Sequence, residues 1–151
     1  MLYYLFRTLF ENDGKIHQID TPIKLLNNPK TLFVSSFILG NNIINLKKNG
    51  NSYISCLGEI NCSEYLKNTS IKSMSISPKF ISIKRSESGN AYVISKEFLG
   101  EFLIYKVTIN ENILRVRTDI NNLLNNGDKC SLSINKNSFY FLYPGAHKVH
   151  I

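Results

Sequence analysis

The sequence predicts a mainly β protein: a small antiparallel barrel or sandwich preceded by a β-hairpin and two short helices. Three observations carry that fold class. From Asn45 onward, short apolar runs alternate with polar residues at the two-residue period of half-buried strands. Asn- and Gly-rich turns, among them Asn49-Gly50, Gly89-Asn90 and Asn126-Gly127, separate those runs. Upstream, Asp13 to Asn42 (DGKIHQIDTPIKLLNNPKTLFVSSFILGNN) carries helix-start signals instead. At 151 residues the chain is long enough to bury a real core in one or at most two compact units.

Taken in order, Leu2 to Phe6 reads as a strand remnant. It is far shorter than the roughly 20 apolar residues of a membrane span, and it lacks the basic leading region of a signal peptide. Arg7 to Ile19 is expected to fold as a hairpin about Asn12, Asp13 and Gly14, because Asp-Gly between β-prone flanks favours a tight turn. Thr21 then offers a side-chain acceptor to an early helix N–H, and Pro22 presets φ at the first helical position. Asn28-Pro29 repeats the device and marks a second start. Phe33, Val34, Phe37 and Ile38 recur at helical spacing, and Gly40 stands where a left-handed C-terminal cap belongs.

The strands follow as runs at Ile43 to Leu46, Ser52 to Cys56, Ser73 to Ile76, Phe80 to Lys84, Ala91 to Phe98, Cys130 to Ile134 and Phe139 to Leu142. The clearest hairpin puts Leu103, Tyr105, Val107 and Ile109 on one face and Phe102, Ile104, Lys106 and Thr108 on the other. It turns at Asn110 to Asn112 and returns with Leu114 and Val116 between Arg115 and Arg117. Closure of such strands into a barrel would remove exposed edges.

Composition adds few constraints. A hydrophobic share of 43% with 19% charged residues is ordinary for a globular chain. Cys56, Cys62 and Cys130 form an odd, sparse set without a C-x-x-C pair, which fits a reducing compartment. Cys130 sits in an alternating run with Leu132 and Ile134, so packing is its expected role. His147 and His150 are close in sequence, but with no third ligand near they read as a surface tail and not a metal site. No Asn-rich tract is long enough to imply disorder.

Gly14, Lys15, Ile16, Gln18, Thr21, Pro22, Leu25, Pro29, Phe33, Val34, Phe37 and Ile38 match, at fixed spacing, a pattern that follows the ATPase core in a known family. The stretch resembles that segment of the ATP-binding subunits of ABC importers. Asp20 stands for the usual Gly, Lys24 for Glu and Ser35 for Ala, and Leu39 looks like a one-residue insertion before Gly40. Further on, Ile76-Ser77-Pro78-Lys79 stands where the family has a motif like R-P-E, with its two charged positions altered. Ser95 to Gly100 (SKEFLG) is similar to S-R-E-F-L-G, Leu114 to Arg117 to L-R-V-R, and Gly127-Asp128 to a glycine and acid before the last strands. Phe141 to Gly145 (FLYPG) looks like the L-F-P-G ending of iron-importer subunits. The C-terminal half thus resembles a TOBE domain of the ferric-iron or spermidine/putrescine type.

That resemblance implies an OB-like barrel. It divides the chain into 1–40, a remnant of the end of an ATPase domain, and 41–151, the TOBE domain. It also implies a non-catalytic accessory or regulatory role and a cytoplasmic protein, peripheral at the inner face of the plasma membrane through a transporter complex, without direct insertion. Partners would be a second copy or ABC importer ATPase and permease subunits. The interface would use Glu97, Phe98, Leu99, Gly100, Tyr140, Leu142 and Pro144, which hold the matched motifs; Phe98 and Leu99 could equally be core. The full-length family uses ATP and Mg²⁺. This chain has no G-x-x-x-x-G-K-S/T phosphate loop, signature motif or Asp-Glu-ended strand, so no catalytic, cofactor-binding or metal residue is expected. It reads as the tail of a longer protein.

A net charge of +7 on an OB-like barrel raises one alternative, a single-stranded nucleic-acid binder with Lys96, Phe98, Phe102, Tyr105, Arg115 and Arg117 as a basic stacking platform. Against it, alternating strands bury aromatics and expose charges, and the basic residues do not cluster in runs. A third reading, binding of a small oxyanion within the barrel as in some other TOBE families, has no donor cluster legible in the sequence to specify it.

Overall fold

A computed structural model describes residues 8–61 and 71–144. The strand remnant expected at 2–6, Cys62, Gly145, His147 and His150 lie outside the described residues.

The expected hairpin is formed by β1 (Thr8–Asn12) and β2 (Lys15–Asp20), with Asn12 opposite Lys15. Asp13 and Gly14 both take positive φ, 51° and 73°, the two-residue geometry that Asp-Gly favours. Helix α1 (Pro22–Asn27) starts as the sequence predicts: the Thr21 hydroxyl accepts from the Lys24 N–H and Pro22 occupies the first turn.

The second helix departs from expectation. Asn28 closes α1, its N–H donating to the Lys24 carbonyl at 2.8 Å. It does not start the next helix, because a residue before proline is pushed out of the helical region, and Asn28 sits at φ −150°, ψ 69°. Thr31 is the actual cap, its hydroxyl accepting from the Val34 N–H at 3.2 Å. The helix then widens into a π-helical turn, Val34–Ile38, closed by a five-residue bond from the Leu39 N–H to the Val34 carbonyl. A π turn takes up one more residue than an α turn. An insertion at Leu39, as the resemblance implies, would be accommodated in this way, and Gly40 terminates the helix at φ 65°.

The remaining strands are β3 (Asn42–Asn45), β4 (Lys47–Asn49), β5 (Ser52–Ser55), β6 (Gly58–Ile60), β7 (Ser73–Ile76), β8 (Ile81–Arg85), β9 (Ala91–Phe98), β10 (Phe102–Ile109), β11 (Asn112–Asp119), β12 (Lys129–Ile134) and β13 (Tyr140–Tyr143). Every predicted run is a strand within a few residues; β4 and β6, three residues each, are additional. They form antiparallel sheets in the orders β11-β10-β9-β12-β8, β13-β7-β3 and β4-β5-β6. The described ladders do not join into one closed barrel. The edges β11 and β8 of the five-stranded sheet come near each other without pairing, and the 3₁₀ turn Pro78–Phe80 lies against β11 there. Proline brings no N–H to such a seam.

One contiguous core joins the three larger sheets through Tyr53, Met74, Ile76, Val93, Tyr105, Val107 and Val116, all buried. Burial of each such side chain contributes about 1.5–3 kcal/mol. Along β10 the predicted inner face is buried, and Ile104 on the opposite face is buried as well. The tight turn Asn110-Glu111 places both residues at positive φ, 45° and 65°.

Candidate functional site

Residues 13–40 are tied to the β body by polar staples more than by a core of their own. Gln18, 4% exposed, donates to the Asn28 carbonyl at 3.1 Å and accepts from the Lys30 N–H at 2.9 Å, fastening the hairpin to the loop after α1. The Tyr143 hydroxyl donates to the Pro29 carbonyl at 2.6 Å, which fastens that loop to β13. Burial pushes the Tyr143 phenol pKa upward, partly offset by a hydrogen bond with Ser35. The Ser35 and Ser75 hydroxyls are hydrogen-bonded, and the Asn41 amide donates to both, at 3.1 and 3.2 Å. Ser35, where the resembled pattern has Ala, is therefore a polar weld between the π turn and β7.

The apolar side chains of the same segment are mostly left open. Leu25 and Val34 are buried, whereas Ile16, Ile19, Ile23, Leu26 and Phe37 are exposed, Ile23 at 71% and Phe37 at 76%. Phe33 and Phe37 stack on each other at 5.3 Å between ring centroids. The predicted greasy helix face exists, but only its Val34 side enters the core.

The residues predicted as an interface fall in two places. Glu97 and Phe98 end β9, Leu99 and Gly100 form the turn into β10, and all four are exposed, Phe98 at 63% and Leu99 at 44%. Gly100 needs its hydrogen side chain, with φ at 85°. Tyr140 and Leu142 lie in β13, half-buried against the core, and Pro144 follows them, exposed. These three line a surface cleft of about 480 Å³ with Pro29, Lys30 and Ile71. The two groups belong to different sheets.

The stacking platform of the alternative reading is not assembled as drawn. Tyr105 is fully buried, its hydroxyl donating to the Asn122 carbonyl and accepting from the Leu124 N–H. The Arg117 guanidinium covers the Phe102 ring at 3.8 Å. Of the named aromatics, Phe98 alone offers an open face. Cys130 is buried in the core as predicted, and Cys56 is half-buried. Burial pushes the Cys56 thiol up to about 11, and burial together with the Asp128 charge raises Cys130. Both thiols are held protonated, the opposite of a reactive cysteine. Among the described residues no group of three or more His, Cys, Asp or Glu is gathered for a metal, and no helix is long and apolar enough to cross a membrane.

No family model matches the chain. A stretch of 48 residues, 32% of the chain, is 50% identical to the spermidine/putrescine import ATP-binding proteins PotA of Bacillus thuringiensis (strain Al Hakam) and of Bacillus anthracis. The match spans 14% of the length of those relatives. This partial similarity supports a relationship to ABC importer ATP-binding subunits.

Proposed function

We propose that this chain is an accessory, non-catalytic TOBE-type domain of an ABC importer ATP-binding subunit, which works by docking on other subunits in the cytoplasm. The observation that carries the reading is the open apolar face of residues 16–37. Five large apolar side chains are exposed there while two are buried. A segment this short and this poorly covered is completed by contact with another protein surface. Its pattern resembles the end of an ATPase domain, and the surface of fitting chemistry is therefore an ATP-binding core. The names of the matched relatives favour a polyamine importer over the iron importer suggested by the FLYPG ending. The exposed turn Glu97 to Gly100 and the β13 cleft at Tyr140, Leu142 and Pro144 are the second contact region, toward a second copy or another subunit.

The chain contains no recognisable phosphate-cradling loop, Mg²⁺ ligand set or water-orienting group, and phosphoryl transfer depends on all three. Hydrolysis would belong to that ATP-binding core. Sedimentation velocity of the purified chain mixed with an ATP-binding subunit of a spermidine/putrescine importer tests the proposal. A complex that weakens in Phe37→Asp and Ile23→Asp supports it. No complex at tens of micromolar, or Mg²⁺-dependent ATP turnover by the chain alone, would overturn it.

A further inference from the structure

We propose that the open edge of β9 takes up an extended segment of a different polypeptide as an added antiparallel strand. The recognised pattern is an acidic residue opposite Lys96, a basic one opposite Glu97 and an apolar one opposite Phe98. The proposal rests on the reading of Glu97 to Gly100 as a contact region and names what fills it.

β9 has two neighbours along only part of its length. β12 pairs with it at Ala91 and Tyr92, and the Val93 N–H and carbonyl still bond to Asp128 and Gly127, at 3.0 and 2.8 Å. There the second neighbour leaves, in a turn closed by the Asp128 N–H on the Asn125 carbonyl at 3.0 Å. On its other side β10 stays paired as far as Phe98. The Arg115 N–H and carbonyl bond to the Asn42 side chain and not to Lys106, so Lys106 turns its own backbone groups to Ser95 of β9. Alternation then points Ser95, Glu97 and Leu99 toward β10, and the Leu99 N–H indeed donates to the Phe102 carbonyl at 2.9 Å. Lys96 and Phe98 therefore direct their N–H and carbonyl groups outward, and among the described residues no strand meets them.

An edge that is only guarded against aggregation carries charge or a bulge. This one has Lys96 and a bulge at Ile94, yet Ile94 and Phe98 are exposed along it and Leu99 just after it. Its charges disfavour a second copy. Two-fold antiparallel pairing must set outward residues against outward residues. Lys96 against Lys96 brings like charges together, and Lys96 against Phe98 places Glu97 on Glu97 in the closer, non-hydrogen-bonded kind of pair. Phe98 against Phe98 runs into the turn at Gly100 after one bonded pair. A different strand with complementary charges meets none of these conflicts. In strand addition the backbone bonds supply affinity and the side chains on alternate faces supply specificity.

Fluorescence anisotropy of the full chain with a labelled peptide centred on Val-Lys-Glu-Thr-Val, which presents that pattern antiparallel to Ile94 through Phe98, tests the site against a charge-swapped Val-Glu-Lys-Thr-Val peptide. Saturable binding with a Kd below about 1 mM is expected, roughly fivefold or more weaker for the swapped peptide. Lys96→Pro removes an outward N–H without touching a bond to β10 and should weaken binding roughly tenfold or more, whereas Lys96→Gln keeps the N–H and should lose less. Hydrogen exchange of the Lys96 and Phe98 amides should slow when the peptide is bound. Circular dichroism checks folding, and if Lys96→Pro does not fold, exchange in the unmodified chain decides. Because no ATP-binding subunit is present, this site and docking through Ile23 and Phe37 fail separately. No binding at about 1 mM, equal binding of the two peptides, unslowed amides, or a dimer of the chain that Lys96→Pro dissociates would overturn the proposal.

Discussion

Replacing Asn42 by Ala removes the one side chain that satisfies the outward backbone of an edge strand. β11 is at the end of its sheet, and Arg115 turns its N–H and carbonyl away from β10. The Asn42 amide, 7% exposed, stands in for a neighbouring strand there, with bonds of 2.8 and 2.7 Å across 73 positions of sequence. Each such bond contributes about 0.5–1.5 kcal/mol net, so the pair is worth about 1–3 kcal/mol, with the upper end reached if water does not replace the amide. Urea unfolding followed by tyrosine fluorescence and far-ultraviolet circular dichroism reads the loss as a lower midpoint at unchanged slope. Self-association should also rise, because an edge strand with open backbone groups recruits other strands. A midpoint loss below about 0.3 kcal/mol would refute the reasoning, since water would then serve Arg115 as well as the amide does.

Three further outcomes follow from the packing. Gly89→Ala should destabilise by more than about 3 kcal/mol or prevent soluble folding, because its Cβ would lie 2.0 Å from the Cys130 carbonyl oxygen, backbone that cannot rotate away; a loss under about 0.5 kcal/mol in urea would contradict this. Gln18→Ala should speed amide exchange in β1 and β2 while leaving β9 to β11 protected, as the hairpin loses its bonds to Asn28 and Lys30; uniform exchange changes would count against a local staple. For Cys56 the folded thiol binds its proton more tightly than the ordinary value of 9.0, so its contribution is complete below that pH and is lost as pH rises through about 11. Wild-type stability should therefore fall between about pH 8 and 10.5 through this group, by less than the full shift implies because Cys56 is only half-buried and solvent screens it; Cys56→Ala flattens that slope, and identical pH profiles would refute the assignment.

What was legible in the sequence was whatever local chemistry decides. The alternation in Leu103 to Ile109 gave the buried face of β10, Asp13-Gly14 gave the hairpin turn, and Thr21-Pro22 gave the first helix start. Asn28 misled as a cap because two caps compete within four residues, and the backbone restriction before Pro29 decides for Thr31. The π turn was foreshadowed by Leu39 as an insertion, although its hydrogen bonding was not. Sheet partition and the contact of Asn42 with Arg115 were beyond local reading, since they depend on strand pairings and on a side-chain bridge from β3 to β11 between residues 73 positions apart. For the interface residues, alternation left Phe98 and Leu99 ambiguous between core and surface. The structure exposes both: β12 pairs with β9 only at Ala91 and Tyr92, so the far end of β9 is flanked by β10 alone, and Leu99 follows it in the turn.

Salt dependence separates apolar docking from nucleic-acid binding most directly. In one buffer series, binding of the chain to an importer ATP-binding subunit and to a labelled single-stranded oligonucleotide would be measured at about 50 and 200 mM salt; several phosphate contacts would lose about 10³-fold or more over that range. Docking through Ile23, Leu26 and Phe37 predicts subunit binding that changes little with salt and oligonucleotide binding that is absent or far weaker. Tight oligonucleotide binding that collapses with salt and is abolished in Arg115→Ala with Arg117→Ala, without any subunit complex, would contradict it.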